Sequence, residues 1–394
     1  MARGRILIVG AGLGGLSAAA CLLRAGFEVS VFEQAPALAE IGAGIQVSAN
    51  AMHVLRHLGL EPAIAELGVR PGAYVFRLHD TGEIVQQFPL SLEHERRHGA
   101  PYVQLHRADL HELLASAVRA LAPDAIHLGM KAVGFHESAR EVELRFADGS
   151  VARGDALVGA DGLKSTIARQ IVGEVTATYT GDAAWRLTVP VERLPKPFLE
   201  PVMTLFLGPG GHAVCYYIRR GTLLNFVGCV ETEDIAEESW TVKFPWERLR
   251  ADYLGWHSEV QAIVDAADRG MCFRWSLHNR LPLRNWSTQR ATLLGDSAHA
   301  TLPYLAQGAA MAIEDGAVLA RALTEAASVP EALDLYQRNR VDRTARVVRE
   351  STANRRLYHL GSAAAIRAEF GRRDLGADRN AWLYPYNPLT VELK

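Results

Sequence analysis

A strand, a glycine-rich turn, a helix and a second strand open the chain, and this run restricts the fold more than any other feature. Residues 6–9 are apolar and mostly β-branched, and the sequence Gly10-Ala11-Gly12-Leu13-Gly14-Gly15 directly after them fits the G-x-G-x-x-G pattern. A helical stretch over 16–25 and a strand over 29–32 follow, and Glu33 closes that strand. Such a unit delivers a pyrophosphate to a helix N-terminus and offers its carboxylate to ribose hydroxyls. We therefore predict an adenine dinucleotide site, and Glu33 in place of a basic residue favours FAD or NAD.

The same residues imitate an export signal. Arg3 and Arg5 precede an uncharged run over 6–23, and residues 18–21 resemble a small-residue cleavage site. A change from strand to helix accounts for every glycine in the run, so we interpret it as a nucleotide site rather than a leader. Because these glycines cluster at one turn, a membrane helix is disfavoured as well.

The totals indicate an ordinary globular chain. Its 394 residues are enough for two domains or one elaborated domain. A net charge of -2 gives no reason to expect nucleic acid or a membrane surface as a partner. The 4 cysteines are scattered without a C-x-x-C spacing, which predicts reduced thiols in a cytoplasmic protein and no metal site.

Two more strand–loop–helix units follow the first. An apolar strand over 156–158 leads into a loop that contains Asp161 and Gly162, and a helix opens at 166–169. A later strand over 291–294 ends in Gly295 and Asp296, and a helix follows over 309–323. Because ligands of α/β sheets bind at the carboxyl ends of the strands, we expect both loops to face the dinucleotide.

A different pattern begins near residue 179. Extended runs at short intervals up to residue 230 predict an antiparallel sheet that covers a substrate. His212 and Tyr216 share one face of a strand in this region, whereas Tyr217 points to the other face. Further along, arginines recur at helical spacing and predict a solvated helix face: Arg338, Arg340, Arg343, Arg346 and Arg349.

The loops at 10–15, 161–162 and 295–296 resemble, in sequence, order and spacing, the three signatures of the single-component flavoprotein aromatic hydroxylases, the group A FAD-dependent monooxygenases. The segments GADGLKS over 159–165, His212-x-x-x-Tyr216 and LPYLAQG over 302–308 are similar to those of the salicylate, 3-hydroxybenzoate and 6-hydroxynicotinate hydroxylases, among which the sequence does not choose.

The resemblance implies an α/β fold in three parts. A Rossmann-like FAD-binding domain is expected over 1–176 together with 270–345. An inserted antiparallel-sheet substrate domain is expected over 177–269, with 73–99 contributing to the same layer. A C-terminal helical segment is expected over 346–394.

The resemblance also assigns the cofactors. FAD is the resident group, and NADH or NADPH and O2 are transient co-substrates. No second strand-linked G-x-G-x-x-G occurs, so we expect the nicotinamide nucleotide to visit the FAD domain without a domain of its own. The residues expected to contact cofactor are Gly10, Gly12, Leu13, Gly14, Gly15, Glu33, Gln34, Gly44, Arg107, Asp161, Asp296, Ala306, Gln307 and Gly308.

The implied reaction is hydroxylation of a small aromatic hydroxy acid through a flavin C4a-hydroperoxide. The phenol must lose its proton, and His212 is our first choice of base, with Tyr216 as positioner or relay and Pro303 beside the flavin ring. The expected substrate contacts are Val47, Arg186, Tyr217 and Tyr304, with Arg186 as the candidate partner of a substrate carboxylate.

One residue departs from the pattern, and several alternatives stay open. Ala300 follows His299 where these proteins often have proline, while Pro303 is kept. One alternative function is that of another enzyme, a flavoprotein oxidoreductase that inserts no oxygen. A second alternative, from a different class of protein, is a nucleotide-binding sensor. The sequence leaves three points undecided: whether the carboxylate is lost as carbon dioxide, whether NADH or NADPH is used, and whether the protein assembles as a homodimer.

Overall fold

The computed structural model describes residues 3–38, 43–196, 198–234 and 242–394. The strands within these ranges are, in chain order, β1 (Arg5–Val9), β2 (Glu28–Glu33), β3 (Gly44–Val47), β4 (Ala73–Leu78), β5 (Ile84–Pro89), β6 (Val103–His106), β7 (Ile126–Leu128), β8 (Ala132–Glu137), β9 (Val142–Phe146), β10 (Val151–Gly154), β11 (Ala156–Gly159), β12 (Thr178–Pro190), β13 (Met203–Gly208), β14 (Gly211–Ile218), β15 (Leu223–Glu231), β16 (Phe273–Asn279) and β17 (Ala291–Leu293).

The α-helices within the same ranges are α1 (Leu13–Arg24), α2 (Ala49–His57), α3 (Glu61–Leu67), α4 (Leu92–His98), α5 (Arg107–Leu121), α6 (Thr166–Val172), α7 (Trp246–Asp252), α8 (Ser258–Asp265), α9 (Asp296–His299), α10 (Gly308–Glu325), α11 (Val329–Tyr358), α12 (Ala363–Arg372) and α13 (Leu375–Trp382). Within this part of the chain, no helix combines the length and the apolar character that a bilayer crossing requires.

A parallel sheet in the order β17-β11-β1-β2-β7 forms the nucleotide-binding half. Its central strands are apolar on both faces because helices cover both of them, as buried parallel strands require. Helix α1 packs against α5 and α10. The glycine turn after β1 and the loops after β11 and β17 therefore meet at one edge of this sheet, which confirms the predicted α/β class.

A larger sheet in the order β16-β12-β15-β14-β13-β4-β5 forms the second layer. Its pairs are antiparallel except β13 with β4, which run parallel. Strands β4 and β5 join it from the first third of the chain. Strand β16 pairs with β12, so the stretch over 273–279, which we expected in the FAD domain, belongs to the larger sheet. The apolar alternation of this strand does not identify the strand with which it pairs.

The C-terminal helices cover one face of the larger sheet. Helix α11 runs without interruption over 30 residues, so the expected boundary at 346 falls inside it. The predicted solvated arginine face is wrong at Arg340, whose side chain is 0% exposed, whereas that of Arg338 is 57% exposed. Helical spacing places both on the helix, but only the packing against α10 decides which one is buried.

The two faces of the larger sheet have separate cores. One face packs Tyr216 and Trp275 with Leu302, Tyr304 and the C-terminal helices. The other face packs Trp185 and Phe226 with α7 and α8. The first face is turned toward the nucleotide-binding half, and a ligand between the two halves would lie against it.

Candidate active site

The turn after β1 has the close packing that a pyrophosphate loop needs. Gly10 has a φ of 101°, and a Cβ atom there would lie 2.4 Å from the carbonyl oxygen of Ala160. A Cβ at Gly15 would lie 2.0 Å from the Gly10 carbonyl oxygen. A Cβ at Gly12 would meet no atom within 4 Å. Two glycines therefore hold the turn against the sheet, and the third leaves open space in front of the α1 N-terminus, which suits an anion.

Glu33 stands at the end of β2, beside that turn. Its two carboxylate oxygens accept hydrogen bonds of 2.9 Å from the backbone amides of Ala11 and Ala35. These bonds fix the carboxylate and leave lone pairs for further donors, as ribose hydroxyls would be. Gln34 follows as an exposed residue.

The second and third loops are bound to each other. Asp161 accepts hydrogen bonds from the Ser165 hydroxyl at 2.5 Å and from the Thr166 amide at 2.7 Å, so its carboxylate caps α6. The Ser297 hydroxyl accepts from the Gly162 amide at 2.8 Å. Asp161 therefore acts on the shape of the loop, while the nearby Asp296 lines an adjacent groove.

The third loop ends where α10 begins. Pro303–Leu305 form a 3-10 turn, and Ala306 adopts a left-handed φ of 54° before Gln307 and Gly308. The Gln307 amide donates to the Ser48 hydroxyl at 3.0 Å and its oxygen accepts from Asn50 at 3.0 Å. Since α10 has no side-chain cap at Gln307, its first amides face outward with the positive end of the helix dipole.

Buried charges fasten this helix. Arg340 contacts Asp315 at 2.6 Å and Glu314 at 2.7 Å, with all three side chains 0% exposed. Asp315 in turn accepts from the Gly295 amide at 3.0 Å and contacts His299 at 2.6 Å. Burial would raise the pKa of the Asp315 carboxyl, but His299 and Arg340 outweigh burial and lower it to about 2. An ionised network therefore anchors the loop at 295–299 to α10 and α11.

Strand β3 brings the nucleotide-binding half into contact with the larger sheet. The Gly44 amide donates to Asn225 Oδ1 at 2.6 Å, and a Cβ at Gly44 would lie 2.7 Å from the Tyr216 hydroxyl. Gln46 on the same strand accepts a 2.5 Å hydrogen bond from the Tyr102 hydroxyl. Val47 is buried at the end of the strand, opposite Val103.

Three of the predicted site residues, His212, Tyr216 and Arg186, share one face of the larger sheet. His212 and Tyr216 lie four residues apart on β14, about 13 Å along the strand, with Val214 between them. Arg186 on β12 is in register with Val227, which is in register with Val214. The distance along β14 between His212 and Tyr216 is long enough for one aromatic ring. Arg186, two strands away, is level with the middle of that distance.

His212 is buried among aromatic rings at one end of this span. Its ring centroid is 5.2 Å from those of Tyr304 and Tyr358. Its Nδ1 is 2.9 Å from Nε2 of His359. Burial, and then the neighbouring His359, lower the pKa of His212 well below its usual value, so the ring is neutral at pH 7.

Arg186 places a buried cation on this face. Its guanidinium carbon lies 4.5 Å from the centroid of the Trp275 ring. Burial lowers the pKa of Arg186 to about 10, and the positive charge of Arg107 acts in the same direction. Arg107 begins α5 directly after β6. Arg186 is still cationic at pH 7, and an anion beside it would offset the cost of burying the charge.

Tyr217 is separated from the other predicted residues. Its hydroxyl donates to the Leu199 carbonyl at 2.9 Å, on the face of the sheet that packs against α7 and α8. A ligand that lies against Tyr216 does not reach Tyr217. We therefore leave Tyr217 out of the site.

The structure adds residues that could not be found from the sequence. Asp182 and Glu231 are cross-strand neighbours on β12 and β15, and Arg355 and His359 come from the end of α11. Arg355 contacts Asp182 through Nε at 2.6 Å and Nη2 at 2.8 Å. No sequence spacing links the strand pair to the helix pair, since Asp182 and Arg355 are 173 positions apart and Glu231 and His359 are 128 apart. The only available signal was that a buried sheet face carries an acidic residue.

The glycine turn, the fixed carboxylate of Glu33 and the covered face of the larger sheet together form the candidate cofactor and substrate site. The sequence matches the family described as "FAD binding domain" over residues 3–351, and the chain belongs to this family. It is therefore an FAD-binding, flavin-dependent monooxygenase, as the resemblance predicted.

Known relatives extend over nearly the whole chain. The 6-hydroxynicotinate 3-monooxygenase of Pseudomonas fluorescens is 37% identical over 359 residues, covering 89% of this chain and 91% of that protein. The 3-hydroxybenzoate 6-hydroxylase of Polaromonas naphthalenivorans (strain CJ2) is 35% identical over 390 residues, covering 97% and 96%. Klebsiella pneumoniae HpxO, solved with FAD and uric acid, is 26% identical with a TM-score of 0.84, covering 97% of this chain and 96% of that chain.

Proposed function

We propose that this enzyme hydroxylates a small aromatic hydroxy acid of the hydroxybenzoate, salicylate or hydroxynicotinate type, with NAD(P)H and O2 as co-substrates. The observation that carries the proposal is the sheet face on which a neutral histidine and a tyrosine bracket one ring's length, with a buried arginine across the middle. The names of the relatives at 35% and 37% identity agree with this substrate class.

The proposed cofactor contacts are based on the glycine turn and on the N-termini of α1 and α10. The open space at Gly12 suits the pyrophosphate, Glu33 suits the adenosine ribose, and the uncapped α10 N-terminus suits the electron-rich end of a reduced flavin. When bound, FAD would supply the redox chemistry that links oxidation of the nicotinamide nucleotide to insertion of one oxygen atom of O2.

His212 is the proposed base. A phenol becomes reactive toward an electrophilic oxygen when its hydroxyl loses a proton, because the anion pushes electron density into the ring. A neutral imidazole accepts that proton, and the lowered pKa of His212 keeps the ring neutral before the substrate arrives. Tyr216, at the other end of the span, is the proposed positioner.

Arg186 is the proposed partner of the substrate carboxylate. A guanidinium and a carboxylate form strong, oriented hydrogen bonds. Their pairing also offsets part of the desolvation cost of burying each charge. The register of Arg186 with Val227 and Val214 supports a carboxylate between the two ends of the span.

A groove beside the second loop is the proposed docking place of NAD(P)H. Its volume is about 410 Å³, and its lining includes Gly162, Lys164, Arg169 and Arg280. Three basic side chains near a loop with open space at Gly162 suit a nucleotide phosphate. Arg280→Ala is expected to raise the KM for NADH while leaving FAD binding unchanged.

One experiment tests the function. The purified holoenzyme is mixed with NADH and each of 6-hydroxynicotinate, 3-hydroxybenzoate, 3-amino-4-hydroxybenzoate and salicylate, and oxygen uptake, hydrogen peroxide and product mass are followed. One acid is expected to stimulate NADH oxidation and to gain one oxygen atom. The product mass also tells whether carbon dioxide leaves. Anaerobic turnover of NADH with reduction of the acid, or aerobic oxidation of the acid with O2 as acceptor and no gain of oxygen, would overturn the proposal in favour of an oxidoreductase that inserts no oxygen.

A further inference from the structure

We infer that His359 and Glu231 join His212 in a proton path from the substrate face to the protein surface, and that Glu231 fixes the tautomers of both rings. The catalytic use of this path rests on the proposed function. The hydrogen-bonded chain itself does not. His359 and Glu231 act through His212 and are therefore positioning residues.

The three side chains form a continuous line from buried to exposed. His212 is 2% exposed, and its Nδ1 lies 2.9 Å from Nε2 of His359. The His359 side chain is 2% exposed, and its Nδ1 lies 3.2 Å from Glu231 Oε1. The Glu231 side chain is 46% exposed. Two hydrogen bonds therefore connect a fully buried base to a carboxylate that reaches water.

Glu231, at the exposed end of the line, determines which ring nitrogens of the two histidines carry a hydrogen. An ionised carboxylate only accepts, so Nδ1 of His359 carries a hydrogen and donates it to Glu231. In a neutral ring, Nε2 of His359 is then an acceptor, and Nδ1 of His212 must donate to it. Nε2 of His212 keeps its lone pair, which is the form that a base needs.

The surrounding groups keep the rings neutral. Burial lowers the pKa of His359, although Asp182 and Glu231 oppose the shift, while Arg355 adds to it. Tyr304 and Tyr358 pack against His212, and the Tyr304 hydroxyl is engaged with Asp182. Neither ring therefore carries a second proton that would block transfer.

Asp182, Glu231 and His359 also place ligand atoms within 4.8 Å of one another, a spacing that a metal ion would accept. Arg355 already supplies positive charge here, through two contacts to Asp182 and one of 3.4 Å to Glu231. A second cation would be repelled by this guanidinium. The cluster is therefore better suited to carry a proton than to hold a metal.

The transfer balances in three steps. The substrate O–H bond breaks as an N–H bond forms at Nε2 of His212. The Nδ1 hydrogen of His212 passes to Nε2 of His359, and the Nδ1 hydrogen of His359 passes to Glu231 and then to water. Each ring ends neutral with its tautomer exchanged, and the reverse sequence restores it.

The tautomers are measured first, on the holoenzyme without substrate. Histidine labelled with ¹⁵N distinguishes the protonated from the unprotonated ring nitrogen, and His212→Gln and His359→Gln assign the two sets of signals. Both rings are expected as neutral Nδ1–H tautomers at pH 7. Glu231→Gln is expected to give His359 a mixture of tautomers, because an amide both donates and accepts, and the exposed Glu233→Gln is the matched control. An Nε2–H tautomer at His212 overturns the inference.

Proton release is measured second, by mixing the oxidised holoenzyme with 6-hydroxynicotinate or 3-hydroxybenzoate in the presence of a pH indicator. His359→Gln keeps an acceptor for His212 but carries no proton onward, so release is expected to slow about 100-fold with the binding amplitude retained. Release at the wild-type rate in this variant overturns the path.

The two measurements separate the inference from the proposed function. If neither acid perturbs the flavin spectrum, the proposed substrate class fails, and the tautomers of His212 and His359 still decide the hydrogen-bonded chain. If an acid binds and is hydroxylated but the tautomers are wrong, the function stands and the inference fails.

Discussion

The Tyr304 hydroxyl donates a 2.6 Å hydrogen bond to Oδ2 of Asp182. The tyrosine belongs to the turn before α10, and the aspartate belongs to β12 of the larger sheet. Asp182 is fully buried and also pairs with Arg355 of α11. The carboxylate of Asp182 therefore connects three elements. They are the turn proposed to lie beside the flavin, the sheet proposed to carry the substrate, and helix α11.

Replacing Tyr304 with phenylalanine tests the importance of its hydrogen bond to Asp182. The loss of one buried hydrogen bond to a charged group is expected to lower the free energy of unfolding by about 1–3 kcal/mol in urea denaturation of the holoenzyme. Because this hydrogen bond also holds the turn at 303–305 against the sheet face beside His212, the affinity for aromatic acids is expected to fall. Tyr217→Phe, on the opposite face, is the control and is expected to leave that affinity unchanged. Equal ligand affinities in the two variants would contradict the placement of Tyr304.

The open space at Gly12 predicts a defect confined to cofactor binding. A methyl group there meets no protein atom within 4 Å, so Gly12→Ala is expected to leave the stability of the apoprotein unchanged. The same methyl group would occupy the proposed pyrophosphate position, and we expect FAD to bind roughly 10- to 100-fold more weakly, from an overpacking cost of about 1–3 kcal/mol. FAD fluorescence titration measures the change. Gly361→Ala, which also meets no atom within 4 Å, is the matched control.

Arg186→Met tests the carboxylate contact. Charge-assisted hydrogen bonds contribute about 1.5–3 kcal/mol, so the dissociation constants of 6-hydroxynicotinate and 3-hydroxybenzoate are expected to rise roughly 10- to 100-fold. The matching compounds without a carboxylate, 2-hydroxypyridine and phenol, serve as the control and are expected to bind equally to both enzymes. A uniform loss for all four ligands would show that Arg186 supports the shape of the face instead.

The buried network on α11 predicts a large loss of stability. Arg340→Met removes the buried cation that Glu314 and Asp315 share and leaves Arg343 and His299 as their remaining partners, and breaking such a buried pair costs about 3–5 kcal/mol. The exposed Arg338→Met on the same helix is expected to change the free energy of unfolding by less than about 1 kcal/mol. Urea denaturation of both variants at pH 7 measures the difference. Similar stabilities would show that the charges in this network are dispensable.

His94 predicts part of the pH dependence of stability. Burial, and then the neighbouring His98, lower the pKa of His94 to about 3 in the folded protein. Within the described part of the chain, its Nε2 has no hydrogen-bond partner. Between pH 6.5 and about 3 the unfolded chain binds one more proton at this site, so stability present above pH 6.5 is lost as the pH falls, by about 1.4 kcal/mol per pH unit.

His94→Phe keeps an aromatic ring against Tyr102 and Tyr384 and removes the titrating group. The slope of unfolding free energy against pH between 6 and 4 is expected to fall by about 1.4 kcal/mol per pH unit relative to the wild type. The exposed His136→Phe is the control. An unchanged slope for His94→Phe would show that His94 titrates in the folded state as it does in the unfolded chain.

Several elements follow from local sequence, because their causes are local. The turn at 10–15 needs glycine at Gly10, where φ is positive, and at Gly15, where no Cβ fits. The opposite orientations of Tyr216 and Tyr217 follow from strand alternation, which any strand imposes. The three strand–loop–helix units likewise combine a buried parallel strand with a helix start, and their order was enough to predict the α/β class.

Other features depend on which distant segments meet, and no local pattern carries that information. Strand β16 joins the larger sheet because its register matches β12, and its own sequence would fit either sheet. Arg340 and Arg338 are two residues apart with the same chemistry, yet only docking of α11 against α10 buries the first.

The sequence by itself determined the dinucleotide turn, the fold class and the pair His212 and Tyr216, since each depends on backbone geometry or on the period of a strand. Only the tertiary structure decided that His359 and Glu231 stand behind His212, because the two residues lie 128 positions apart and meet through the packing of a helix end on a sheet. Hydrogen bonds between such positions arise from the relative placement of whole elements, which is set by the total burial of the core and not by any local spacing.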